Sequence, residues 1–225
     1  MKEYAVLTGD LIGSRELAPE RLAGAMDRIR SLAAEFGEAH SGVLVGQPDV
    51  FRGDSWQMCL RDSTVAVTAA IFLRAGLKSE DLDSRVAVGV GTVTNLREEK
   101  ISESTGPAFV TSGRVLDALA KDRALGFACA TEPEPSWAHG ISLWVAPLLD
   151  LLLSQWSQRE AVAVYGALRQ LTQQAIAELP AARTHKGKAP TRQAVQDALR
   201  RVGWANHVEP VLADVEKQIR AQATV

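Results

Sequence analysis

Two aspartates end apolar runs in places where a backbone turn would present a carboxylate. Asp10 closes Tyr4-Ala5-Val6-Leu7-Thr8-Gly9, a run that reads as a buried strand. Asp54 lies in Arg52-Gly53-Asp54-Ser55, between Asp49-Val50-Phe51 and Trp56-Gln57-Met58-Cys59-Leu60. Gly-Asp between two apolar runs is a hairpin signal. If the first strand and this hairpin are neighbours in one sheet, the two side chains converge. Close carboxylates repel, which raises the pKa of one unless a cation sits between them. Mg2+ or Mn2+ would remove the conflict, with phosphate and water oxygens completing the shell. Two such ions about 4 Å apart could clamp a phosphate for in-line attack. The alternative leaves both aspartates as ordinary turn residues.

Phosphate needs donors. Arg15, Arg52 and Arg114 are candidates because a guanidinium fork grips phosphate oxygens in pairs. Ser14 and Gly53 complete the candidate nucleotide-binding set. Trp56 reads as core more readily than as a stacking platform. Gly89 and Gly91 read as packing glycines.

The elements that must position these residues follow from periodicity. Apolar spacing from Leu22 to Ala33 predicts a helix over 19–36, with Gly37 as its stop. Short strands are expected at 43–45 and on either side of the hairpin, then a helix over 63–77. Strand 85–91, a polar flap over 92–105, helix 108–121 and strand 125–130 follow. The order β-α-β-β-α-β-α-β contains the ferredoxin-like split βαβ arrangement. Residues 131–136 read as a linker, 141–145 as another strand, and Pro147 as the start of a short helix. Beyond Ser157-Gln158-Arg159-Glu160, a capping box, everything reads as helix. The expected fold class is α+β. A domain over 1–135 precedes a connector over 136–156 and an all-α domain over 157–225.

Charge divides the chain in the same place. Residues 1–153 carry 15 basic and 21 acidic side chains, whereas 154–225 carry 10 and 6. Such asymmetry points to two halves with different partners. Cys59 and Cys129 sit in apolar runs and read as buried thiols. No leader pattern and no unbroken apolar run of about 18 residues is seen, so a cytoplasmic protein without a membrane partner is expected.

The stretches Tyr4 to Arg15 and Phe51 to Gln57 resemble the SatD family of bacterial proteins, a likeness covering nearly the whole chain. More distantly they resemble class III nucleotidyl cyclases and the GGDEF and CRISPR polymerase-type palm domains. In those enzymes one metal-binding aspartate follows the first strand and the other sits in the hairpin. The resemblance therefore implies that Asp10 and Asp54 hold metal, and act catalytically if the protein is an enzyme. Gly106 to Leu116 resembles the cyclase helix that carries an asparagine and an arginine. Arg114 falls where the phosphate-binding arginine would be. Val110 stands where the ribose-orienting asparagine would be, and a valine cannot hold a hydroxyl. The resemblance thus implies triphosphate binding more than cyclisation. It also implies a homodimer, because cyclase-like sites form between two subunits.

The C-terminal helices resemble sigma-factor-type helix-turn-helix domains. Helices are expected over 157–169, 171–179 and 190–201. In the third, Ala194, Val195, Ala198 and Leu199 would face inward. Arg192, Gln193 and Gln196 would reach base edges of double-stranded DNA. Lys186, Lys188, Arg200 and Arg201 would contact phosphates. The connection over 180–189 is longer than the usual three or four residues. The expected function is a ligand-responsive DNA-binding regulator. The alternatives are a metal-dependent nucleotidyl cyclase or oligonucleotide polymerase, and an interaction module on an inactive cyclase-like fold.

Overall fold

A computed structural model of the chain describes residues 2–51, 53–183 and 187–222. The sheet has five strands: β1 (Tyr4–Leu11), β2 (Leu44–Phe51), β3 (Ser55–Leu60), β4 (Ser84–Gly91) and β5 (Leu125–Cys129). Their order is β2-β3-β1-β4-β5. β1 runs antiparallel to both β3 and β4, and β4 is parallel to β5. This is the split βαβ sheet with one added parallel strand, so the α+β class holds.

Period-two alternation sorts the strands into two unlike faces. Ala5, Leu7 and Leu11 share one face with Trp56, Met58, Leu60, Val86, Val88 and Val90, and all are buried in the main core. Helices α1 (Pro19–Ala39) and α2 (Ala66–Lys78) cover this face. The opposite face is apolar only at one end, where Val6, Val45 and Cys59 pack under Ile101, Ala108 and Phe109. Its other end is polar: Thr8, Asp10, Ser55, Gln57 and Arg85. Helix α3 (Pro107–Ala118) lies on this face, and Gly89 is the reason it can lie so close. A Cβ there would meet the backbone of Ser112 at 2.4 Å. Gly89 is thus a packing glycine.

Three expectations need correction. Gly37 does not stop α1, which continues to Ala39; instead it lets Leu44 approach, with 3.2 Å to an added Cβ. The two short strands before the hairpin are one strand, β2, with a register shift between Val45 and Asp49 where Gly46 takes φ 59°. Residues 141–145 are not a strand. They form a π turn inside one continuous helix, α4 (Ser136–Gln155). Buried Ala138, Ile141, Leu149 and Leu153 recur at helical spacing, and this packing under β5 outweighs the local β-propensity of Ile141 to Val145. By length and composition alone α4 is long and apolar enough to cross a membrane, a test that a core helix also passes. Asp150 is nevertheless buried and ion-paired within the fold.

The C-terminal helices are α5 (Gln158–Leu168), α6 (Gln173–Glu178), α7 (Arg192–Arg201) and α8 (Glu209–Gln222). Their starts were legible. Ser157 and Glu160 form the capping box, Thr172 caps α6 and Thr191 caps α7. Helices α5 to α7 enclose a small core of Val162, Ala163, Ile176, Ala177, Val195 and Ala198. Val164, Tyr165, Trp204, Leu212 and Ile219 belong instead to the main core, so the helical part is fused onto the α1–α2 layer.

Candidate functional site

Asp10 lies within β1, one residue before its end, rather than beyond it. Its Cα partners are Ser55 on β3 and Arg85 on β4. Alternation puts Asp10 and Arg85 on the same face, and the register makes them direct neighbours. The Arg85 guanidinium engages both oxygens of the Asp10 carboxylate: Nε donates to Oδ1 at 2.8 Å, and Nη2 donates to Oδ2. That hydrogen bond outweighs burial and holds the Arg85 pKa above its usual value, with Asp117 and Asp54 adding to the field.

Asp54 follows Gly53, which takes φ 84° at the hairpin tip. Its carbonyl oxygen accepts from the Leu11 N–H at 3.1 Å. Its carboxylate accepts from the Ser14 hydroxyl at 2.5 Å. Ser14 belongs to a short turn that Gly13 starts in the left-handed region, φ 71°. The strand end and the hairpin tip are thus tied together. Asp10, Asp54, Ser14 and Arg15 line one groove of about 500 Å3, with Arg85 and exposed Lys121. The two aspartates expected to converge line the same groove.

Beneath the groove lies a group that sequence reasoning missed. Arg74 of α2 is 1 % exposed. It donates to Asp83 at 2.9 and 2.8 Å and to Asp150 of α4 at 2.7 Å. Asp150 also accepts from the Ala124 N–H. Burial would lower the Arg74 pKa, but the two carboxylates overcome this and hold it raised. One cation therefore joins α2, α4 and the residue before β4 under the groove floor, and Asp150 in turn holds the residue before β5. An arginine in an alanine-rich helix carries no local mark of this role.

A second groove of about 600 Å3 opens from Asp10 and Arg85 along the polar face, lined by Thr8, Gln57, Ser102, Gly113 and Asp117. Its floor is ordered by a relay. Gln57 Nε2 donates to Thr8, Thr8 meets Ser112, and Ser112 donates to the Phe109 carbonyl. The Ser112 proton is committed, so Thr8 must donate to Ser112 and accept from Gln57. That fixes the amide orientation of Gln57. Trp56 points the other way into the core, fully buried, with its indole donating to Ser84 at 2.9 Å. A side chain at Gly9 would meet that indole at 2.5 Å.

Arg114 does not join the aspartates. It is exposed on α3 and lines a separate groove with Thr94, Thr105, Val110 and Thr111. Arg52 and Lys186 lie outside the described residues, as does His185 in the same loop.

On α7, Arg192, Gln193, Gln196 and Arg200 are exposed as expected, and Lys188 is exposed ahead of it. Ala194 is exposed rather than inward, while Val195 and Ala198 are buried and Leu199 packs partly buried against the same small core. Arg201 donates to Glu160 at 2.9 Å and so turns back onto α5. Gln193 and Arg200 both donate to Asp197 at 3.2 Å.

The donor chemistry of two aspartates and a serine suits a hard divalent ion. Among the described residues no group of three His, Cys, Asp or Glu side chains is gathered to hold one. Each Asp10 oxygen accepts from Arg85 and keeps a second lone pair, so the residues fit such an ion only with phosphate oxygens and water completing its shell.

No family model matches the chain, and no curated protein matches it. Among solved structures, the crystal structure of the guanylyl cyclase Cya2 is similar over 55% of this chain and 73% of that one, at 18% identity and a TM-score of 0.41.

Proposed function

We propose that the chain is a SatD-like, ligand-responsive DNA-binding regulator whose sheet domain binds a nucleoside triphosphate together with Mg2+ or Mn2+. The observation that carries this is the shared groove of Asp10 and Asp54, resting on α2 and the buried Arg74. Arg15 and Lys121 at the rim supply positive charge for phosphates. Asp10 and Asp54 would hold the metal, which would neutralise the phosphate charge. Gln57 and Ser102 line the space beyond Arg85 and offer polar contacts to the rest of a nucleotide.

Helix α2 carries the message. On one side its Arg74 lies beneath the groove. On the other it packs against α5, where Phe72 meets the Tyr165 ring at 5.3 Å, and against α8, where Thr68 donates to Glu216 at 2.6 Å. A ligand that reorganises the groove therefore biases the layer on which the helix-turn-helix rests. Binding is favoured over turnover because Val110, where the cyclase resemblance calls for an asparagine, cannot hold a ribose hydroxyl. Val110 and Arg114 line a different groove and could reach Asp10 only from a second copy.

Isothermal titration of the full chain with each ribonucleoside triphosphate and Mg2+ tests the reading. Heat with at least one nucleotide, lost in Asp10→Ala, is expected. Duplex DNA binding that weakens steeply with salt should accompany it. Absence of heat with all four nucleotides would leave only an interaction module. Pyrophosphate release that is lost in Asp54→Asn would instead make the protein an enzyme.

A further inference from the structure

Helix α4 is apolar on both sides, and the fold covers only one of them. Ala138, Ile141, Ala146, Leu149 and Leu153 are buried toward β5 and α2. On the outside Leu143 is 50%, Trp144 65%, Leu148 60%, Leu151 56% and Leu152 39% exposed. Positions 144, 148, 151 and 152 recur at i, i+4, i+7 and i+8, which is one stripe of a helix. A helix apolar all round is normally covered all round.

We propose that this outer face of α4 is a dimerisation surface, and that the same face of a second copy covers it. Charge and area select this occupant. A helix lying on a membrane carries Lys and Arg along its polar flank to meet lipid headgroups. Ser136–Gln155 contains neither, and its one acid, Asp150, is locked to Arg74 inside the fold. Spanning a bilayer would break that pair and strand a buried arginine. The stripe offers no charged group for a heterologous partner to complement. A neutral stripe of leucines around a tryptophan is complementary to itself across a two-fold axis. Five side chains this exposed leave on the order of 500 Å2 of apolar surface per copy. Pairing two copies removes about 1,000 Å2 from water before any polar rim is counted, the threshold for a stable interface. Trp144, the largest and most exposed of the five, is the expected centre of the contact.

The inference rests on α4 alone and holds whether or not nucleotide or DNA binds. Sedimentation equilibrium of the full chain, from about 1 to 100 μM, is expected to show a dimer that dissociates in the micromolar range or below. Leu148→Glu should weaken association at least tenfold while leaving the far-UV circular dichroism spectrum unchanged, since Leu148 is 60% exposed within one copy. Val211→Glu is the control: Val211 is exposed too, at 37%, but lies on α8. It should leave the dimer intact. A wild-type monomer throughout the range overturns the proposal. So does a Leu148→Glu dimer of wild-type strength, or a Val211→Glu variant as weakened as Leu148→Glu. Flotation of a monomeric wild-type chain with phosphatidylglycerol vesicles, abolished by Leu148→Glu, would assign the face to a membrane instead.

Discussion

The central residue of the candidate site is Arg85 as much as either aspartate. Two carboxylates approaching at a strand end require positive charge, and here a side chain supplies it. The guanidinium binds both Asp10 oxygens and also lies in the field of Asp54 and Asp117. A divalent ion at this place therefore meets the positive charge of Arg85, which lowers its affinity for Asp10. Removing that charge leaves the carboxylate to the ion. Arg85→Met is expected to tighten Mn2+ binding about tenfold in the absence of nucleotide, one decade being about 1.4 kcal/mol. It should also weaken triphosphate binding, because a guanidinium released from Asp10 would be free to meet phosphate. Electron paramagnetic resonance of free Mn2+ in a titration reads the first effect, and calorimetry the second. Unchanged Mn2+ affinity would mean that Arg85 and the ion do not share Asp10. The need for a cation was legible from the two aspartates. Its identity was not, because Asp10 and Arg85 are 75 positions apart and only the β1–β4 register joins them.

At the scale of elements, the capping signals were the most legible. Ser157, Thr172 and Thr191 each accept from the backbone N–H three residues on, a local geometry that a local sequence can specify. Helix α4 was misread for the complementary reason. Ile141 to Val145 favours a strand locally, and only packing under β5 makes it helical. On α7, exposure and side-chain ties now separate residues that looked equivalent. Gln196 is exposed, whereas Arg201 is turned back to Glu160. If α7 reads DNA, Gln196→Ala should cost about 1–3 kcal/mol on a preferred site and little on random DNA. Arg200→Ala should lower affinity on all sequences and reduce the salt slope by about 1. Arg201→Ala should do neither. Fluorescence anisotropy with a selected and a scrambled duplex, across a salt series, measures all three. An equal effect of Gln196→Ala on both duplexes would remove base reading from α7.

Across the whole molecule, the sheet and the C-terminal helices are bound by one core and by a cluster of charges. Glu35 on α1 meets Tyr165 of α5, which donates to its carboxylate, and Arg28 donates to it at 2.8 Å. Burial pushes the Glu35 pKa up, but the bonds from Tyr165 and Arg28 outweigh it and hold the carboxyl below its usual value. A depressed carboxylate pKa stabilises the fold above the unfolded-state value and loses that contribution as pH falls through the folded-state value. Glu35→Gln should therefore lower stability at neutral pH by about 1–2 kcal/mol, the scale of a hydrogen bond to a charged group. It should also flatten the loss of stability with acid below about pH 4.5, the unfolded range of a glutamate. Urea unfolding at a series of pH values checks this. Parallel pH profiles for the two proteins would show that Glu35 carries no pH-dependent stability.

By itself the sequence determined the strand and helix order of the sheet, the helix starts set by capping residues, the burial of Trp56 and both cysteines, and the hairpin tip that carries Asp54. Each depends on short-range pattern: alternation along a strand, periodicity along a helix, or a turn that presents one residue. Tertiary structure alone decided that Arg85 faces Asp10, that Arg74 joins Asp83 to Asp150, that Arg114 lines a different groove, and that half of α4 is left in water. All four depend on register and packing between segments far apart in the chain. Partners brought together only by folding leave no signature in the residues beside them.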